Sequence, residues 1–179
     1  MVWHRIIAVR TDLRCSTTHC SSLNNRGGVM AGKYFDELEP GRVFEHEIRR
    51  TVTEADNVWF CGATCNPAQI HIDADYCAQT EFGRPLMNSI FTLGLVIGLT
   101  VQDTTLGTTI ANLGMTDVKF PKPVFAGDTI RSVTTVVERR ESKTRPNQGI
   151  VTFRHQGFNQ RNEEVTSCLR QALMQKGLA

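Results

Sequence analysis

The chain has 179 residues, 40% of them hydrophobic, and a formal net charge of +2. That length and apolar content support one sizeable core, so a single domain is expected. Its body is near neutral, which argues against a nucleic-acid partner needing clustered Lys and Arg. No apolar run approaches the ~20 residues of a membrane-spanning helix.

Residues 1–30 stand apart, with Arg5, Arg10, Arg14 and Arg26 against Asp12 alone. They are polar, rich in Ser and Thr, and lack the continuous apolar stretch of a secretory signal. Two readings stay open: an organellar presequence, or sequence upstream of a working start at Met30. In both they form a disordered leader or extension with no folded role, ahead of one domain over 31–179. The cysteines of the body, Cys61, Cys65, Cys77 and Cys168, are not spaced as a disulfide scaffold. Cys61, Cys65 and His71 lack a fourth ligand at usual zinc spacing. No metal or cofactor is expected.

Along the body, Phe35 to Gly41 reads as an opening loop closed by Pro40-Gly41. Val43 to Thr51 is expected to form a first strand. Thr53-Glu54-Ala55-Asp56 is close to a capping box and starts a short helix that should stop near Gly62. Asn66-Pro67 marks a turn, and Asp73 to Ala78 supports another short helix with acids in its first turn. From Ser89 the apolar positions Ile90, Leu93, Leu95, Val96, Ile97, Leu99 and Val101 run almost around a long helix, which predicts burial on most sides. Gly94 and Gly98 would leave one face flat enough for a second backbone. Thr108–Phe120, Asp128–Arg139, Gly149–Asn159 and Glu164–Met174 then read as successive antiparallel strands between turn residues. The order gives an α+β fold, an antiparallel sheet wrapped around one long central helix.

The stretch Phe60-Cys61-Gly62-Ala63-Thr64-Cys65-Asn66-Pro67-Ala68-Gln69-Ile70-His71-Ile72-Asp73 carries the chemistry. It resembles the hydratase motif of the MaoC-like, hot-dog-fold (R)-specific enoyl-CoA hydratases. In that motif an Asp, then an Asn, then a His five residues after the Asp handle the catalytic water. Phe82-Gly83-Arg84-Pro85-Leu86 and Phe120-Pro121-Lys122-Pro123-Val124-Phe125-Ala126-Gly127-Asp128 match in the same order, so the resemblance spans roughly Tyr34 to Met174. It implies a hot-dog fold and an acyl-CoA thioester substrate, with a site between subunits of a homodimer or higher oligomer. Counted back from His71, the family's Asp falls on Asn66.

An imidazole titrating near neutrality suits both proton transfers of hydration, from water and to C2. An amide at 66 can orient water but cannot take its proton. Three accounts stay open: His71 is the sole base with Asn66 positioning the water, a nearby acid (Asp73 or Asp56) substitutes, or the domain binds acyl-CoA without hydrating it. By resemblance, Ser89 supplies a backbone N–H to the thioester oxygen at the start of the central helix. Asn88-Ser89 also reads as a plain helix cap. Asp73 and Asn88 are expected beside the substrate. Arg140 and Arg145, in a basic cluster with Arg139 and Lys143, are candidates for the CoA phosphates.

The expectation is therefore a cytoplasmic hydro-lyase (or a matrix one, if the leader is a presequence) acting on a short, branched or dicarboxylic enoyl-CoA. The alternatives are a non-catalytic acyl-CoA-binding protein and a thioesterase of the same fold. The thioesterase would want a carboxylate near the central helix, and none lies between Arg84 and Gln102.

Overall fold

A computed structural model describes residues 32–177. The leader expectation falls on residues outside these. A 3-10 turn over Phe35–Glu37 opens the chain. There follow β1 (Val43–Glu45), β2 (Arg50–Thr51), α1 (Glu54–Ala63), α2 (Gln69–Ile72), α3 (Ala74–Ala78), α4 (Ser89–Thr104), and the long strands β3 (Thr109–Lys119), β4 (Thr129–Glu141), β5 (Gln148–Phe158) and β6 (Glu164–Gln175). All pairings are antiparallel, in the order β1-β4-β5-β6-β3, with β2 also on β4. The sheet curls around α4, and the four long strands fall within two residues of the sequence reading.

The first strand does not run through as expected. Glu45 pairs with Val133 and Arg50 with Ile130, so β1 and β2 are separated by two more residues than the facing stretch of β4. The excess lies beyond His46, whose N still donates to Ser132 O at 3.2 Å while its side chain turns inward. Its Nδ1 donates to Asp103 Oδ2 at 2.7 Å and its Nε2 lies 2.9 Å from Thr134 Oγ1. A buried histidine with both nitrogens engaged anchors this end of β1.

Apolar residues gather in two clusters. One, beneath α4, joins Val52, Met87, Phe91, Val96, Leu99, Val124, Ile130 and Val165. The other, covered by the opening loop, joins Phe35, Leu38, Val136, Val151, Phe153, Ala172 and Met174. Gly157 lets α4 approach the sheet, since a Cβ there would collide with Val96. Between the clusters runs a buried polar band. Thr134 Oγ1 lies 2.9 Å from His155 Nδ1, while His155 Nε2 and Arg170 Nη1 are buried without partners. Arg170 Nε donates to Asn112 Oδ1 at 3.2 Å.

The other side of α4 departs from the expectation of burial. Ile90, 58% exposed, and Gly94 and Gly98 face outward, with open space beyond both glycines. One chain has one sheet, so it covers one side of the helix. β3, at the end of the sheet order, exposes Ile110, Leu113, Met115 and Val118.

Burial, the charge of Arg170 and that of His46 together push the His155 imidazole down to about 3. The unfolded chain takes up a proton near the ordinary value of 6.5, whereas the folded chain refuses it until far lower pH. Stability from this group is thus complete above about pH 6.5. It falls on acidification towards pH 3 by about 1.4 kcal/mol per pH unit. Urea unfolding across that range should show a slope shallower by about one proton in His155→Gln than in the unaltered chain.

Candidate active site

Local rules place the candidate residues. Thr53 Oγ1 accepts from Asp56 N at 3.3 Å and Thr53 N donates to Asp56 Oδ2 at 2.9 Å, so the capping box forms. Burial alone would raise the Asp56 carboxyl, but bonds from Thr53 and the charge of Arg50 hold it below its usual range. Asp56 is thereby committed to capping. The helix ends past Gly62, with Cys65 rather than a glycine in the left-handed conformation, φ 54°. Cys65 N donates to Gly62 O and Asn66 N to Cys61 O at 2.9 Å, which satisfies the last carbonyls. Asn66 Oδ1 then accepts from Ala68 N at 3.0 Å and turns the chain into α2, which carries His71.

His71 is half-buried, and its Nδ1 lies 2.9 Å from Leu86 O. A carbonyl only accepts, so Nδ1 carries the proton and neutral His71 presents a bare Nε2. Nε2 has no hydrogen-bond partner among the described residues. His71 lines a cavity of about 190 Å³ together with Glu54, Asn57, Arg84, Met87 and Ala126, among others.

Asn57, which the sequence reading did not single out, holds this arrangement together. It is buried on α1. Its Nδ2 donates to His71 O at 2.6 Å and to Leu86 O at 2.8 Å, and its Oδ1 accepts from Asn88 N at 2.9 Å. One amide thus ties α1, α2 and the approach to α4. A polar residue one turn before buried Cys61 was the available signal, since buried amides need partners. Glu54 was also missed. Among the described residues it is the only acid lining the His71 cavity.

The predicted site residues separate into groups. Asn66 opens on an adjoining cavity that shares Val58 and Ile72 with that of His71. Asp73 caps α3, accepting from Tyr76 N at 2.9 Å, and this bond followed by that from Gln69 lowers its carboxyl. Asn88 caps α4 through Ile90 N and Phe91 N. Ser89 N has no partner among the described residues, so the free donor at this helix start belongs to Ser89. Ser89 lines a cavity of about 240 Å³ with Phe82, Phe120 and Lys122, and Met87 borders both this cavity and that of His71. The Phe120–Asp128 connection supports the boundary: Met87 N donates to Val124 O, and Asp128 Oδ2 accepts from Phe125 N at 3.0 Å.

Arg140 and Arg145 are not brought to His71 within one chain. They lie at the end of β4 remote from Ala126, roughly 35 Å along the strand at ~3.3 Å per residue. Arg139 is tied to the opening loop, donating to Glu39 Oε1 at 2.6 Å. Among the described residues, no group of three or more His, Cys, Asp or Glu is placed to hold a metal ion. No helix of the described residues is long and apolar enough to cross a membrane.

An antiparallel sheet curled around one helix defines a hot-dog fold, and here the segment before that helix carries a histidine oriented by a backbone carbonyl. The family model described as MaoC like domain matches residues 36–157, and the chain belongs to that family. It is 30% identical over 82% of its length to a mesaconyl-CoA hydratase of Cereibacter sphaeroides, but spans 42% of that protein. It is 26% identical to an (R)-specific enoyl-CoA hydratase of Rhodospirillum rubrum, covering 68% of this chain and 78% of that one. A Mycobacterium tuberculosis protein with a double hotdog fold superposes with a TM-score of 0.74 at 25% identity, over 82% of this chain and 45% of its own. The chain thus spans less than half the length of the first of these.

Replacing Asn57 by Ala strands the His71 carbonyl and the Asn88 N–H, at about 1–3 kcal/mol for each orphaned group. Urea unfolding of Asn57→Ala should show a loss of roughly 2–6 kcal/mol.

Proposed function

We propose that the chain is a hydro-lyase that adds water to, or removes it from, a short, branched or dicarboxylic enoyl-CoA, with His71 as the proton-transfer residue. The observation that carries this is the Nδ1–H bond of His71 to Leu86 O, which leaves Nε2 free on the cavity that His71 lines. In the hydration direction Nε2 takes a proton from water while its oxygen adds to C3. The proton then passes to C2 as the enolate collapses. Such transfers typically contribute ~10²–10⁴-fold in rate.

In this reading Ser89 N donates to the thioester oxygen, with the acyl chain crossing Met87 between the two cavities. The start of α4 adds partial positive charge there. Asn66 has its Oδ1 engaged by Ala68 N, so its Nδ2 is the group left to hold water. Asp73 and Asn88 act through the helices they cap. Arg140 and Arg145 would serve the CoA phosphates of a site completed by a second copy.

Self-association is supported by the apolar edge of β3 and the open face of α4. The partial coverage of a double hotdog chain also supports it, since one chain here matches 45% of that protein. The reading implies a homodimer working in the cytoplasm or an organellar matrix. A second reading, an acyl-CoA-binding domain without turnover, is favoured by one observation: Asn66 stands where the motif has a carboxylate. The thioesterase reading would want a free carboxylate at the central helix, but Asp103, the only acid on α4, is occupied by His46.

Loss of the conjugated-thioester absorbance with crotonyl-CoA or mesaconyl-CoA tests the proposal. His71→Ala should lower kcat/KM by ~10²–10⁴-fold with an unchanged unfolding midpoint. Retention of more than about a tenth of the rate would remove His71 from the mechanism. Tight acyl-CoA binding without absorbance loss would establish the binding-module reading. Asn66→Ala should raise the barrier by about 2–4 kcal/mol, the range for one positioned donor. Unaltered turnover in Asn66→Ala and Asn66→Asp would reduce Asn66 to a turn residue.

A further inference from the structure

Among the described residues, Arg84 is the one Arg or Lys lining the His71 cavity. Its guanidinium lies over the Phe125 ring at 4.1 Å from the centroid and makes no ion pair or hydrogen bond among the described residues, Glu54 included. Pro85 restricts the Arg84 backbone to extended conformations. The Phe125 platform is itself fixed, by the bridge to Leu86 and by Phe125 N donating to Asp128 Oδ2 at 3.0 Å. A guanidinium with one face on an aromatic ring keeps its in-plane N–H donors free, the geometry that takes a carboxylate through two parallel bonds.

A second observation points the same way. On the adjoining cavity, where the hydratase motif has an acid, Asn66 contributes no charge, and among the described residues Glu54 is the only acid lining that of His71. An incoming anion therefore meets one negative charge and one unpaired guanidinium rather than a cluster of acids.

We propose that Arg84 recognises a second carboxylate on the acyl group, so that the substrate is a dicarboxylic enoyl thioester rather than a plain aliphatic one. This rests on the hydro-lyase reading for its site, but recognition can be measured without turnover. Succinyl-CoA and butyryl-CoA share the four-carbon acyl length, differ in a terminal carboxylate against a methyl group, and lack the double bond that hydration requires. Calorimetric titration of the full chain should show succinyl-CoA binding about 10- to 100-fold tighter, the worth of a charge-assisted pair. Arg84→Gln should bring the ratio of the two Kd values close to one, and Arg84→Lys should keep part of the preference.

Equal affinity of the unaltered chain for both thioesters would overturn the proposal, as would binding of neither. A preference that survives in Arg84→Gln overturns it too. Equal weakening of both thioesters in that variant would assign Arg84 to the CoA moiety they share, and overturns it likewise. Absence of absorbance loss with any enoyl-CoA, alongside a preference that depends on Arg84, would sink the hydratase reading and leave this one standing.

Discussion

The site depends on one side-chain amide. Asn57 reaches from the buried face of α1 to the carbonyls of His71 and Leu86 and to the Asn88 N–H. The two segments it holds have little regular structure of their own: α2 is a single turn, and 86–88 is a bridge and a cap. Leu86 O accepts from both Asn57 Nδ2 and His71 Nδ1, so the same carbonyl that anchors the backbone fixes the imidazole tautomer. Fold and proton chemistry are joined at that oxygen. A buried network fully satisfied in this way specifies one geometry, because every alternative leaves a polar group unpaired.

The sheet works by contrast between apolar and polar layers. Two apolar clusters supply the burial that holds α4 and the opening loop in place. The band between them, Asp103, His46, Thr134, His155 and Arg170, supplies little net stabilisation, since hydrogen bonds gained replace bonds to water. Its effect is on register. His46 turning inward anchors the end of β1, and β2 leads directly into the capping box of α1. Val52 N donates to Asp128 O and Gly127 N to Val52 O, the latter through a left-handed Gly127 with φ 95°. The loop lining the His71 cavity is thereby tied to the start of the helix that carries Asn57.

A single chain leaves the assembly open on one side. The outer face of α4 and the edge of β3 are apolar and uncovered, a combination that folded chains generally cover. The candidate groups are also spread: His71, Asn66 and Ser89 line three cavities bordered by Met87, Val58 and Ile72. Family membership accounts for the common scaffold. The chain spans less than half the length of two of the proteins it resembles.

What the sequence determined by itself was the order and type of the elements. Alternating Thr, Val and Ile between turn residues produced the four long strands, and Thr53 with Asp56 produced the start of α1, because these are effects of near neighbours. The motif around His71 was legible for the same reason. Tertiary structure decided the rest. That His46 would anchor the end of β1 depended on Asp103 and Thr134, 57 and 88 residues away. That Asn57 would organise the site depended on carbonyls 14 and 29 residues on. That Arg140 would fall at the end of β4 away from Ala126 depended on the length and direction of that strand. Local pattern records which conformation each segment prefers; which distant polar groups must find one another is fixed only when burial removes water as their partner.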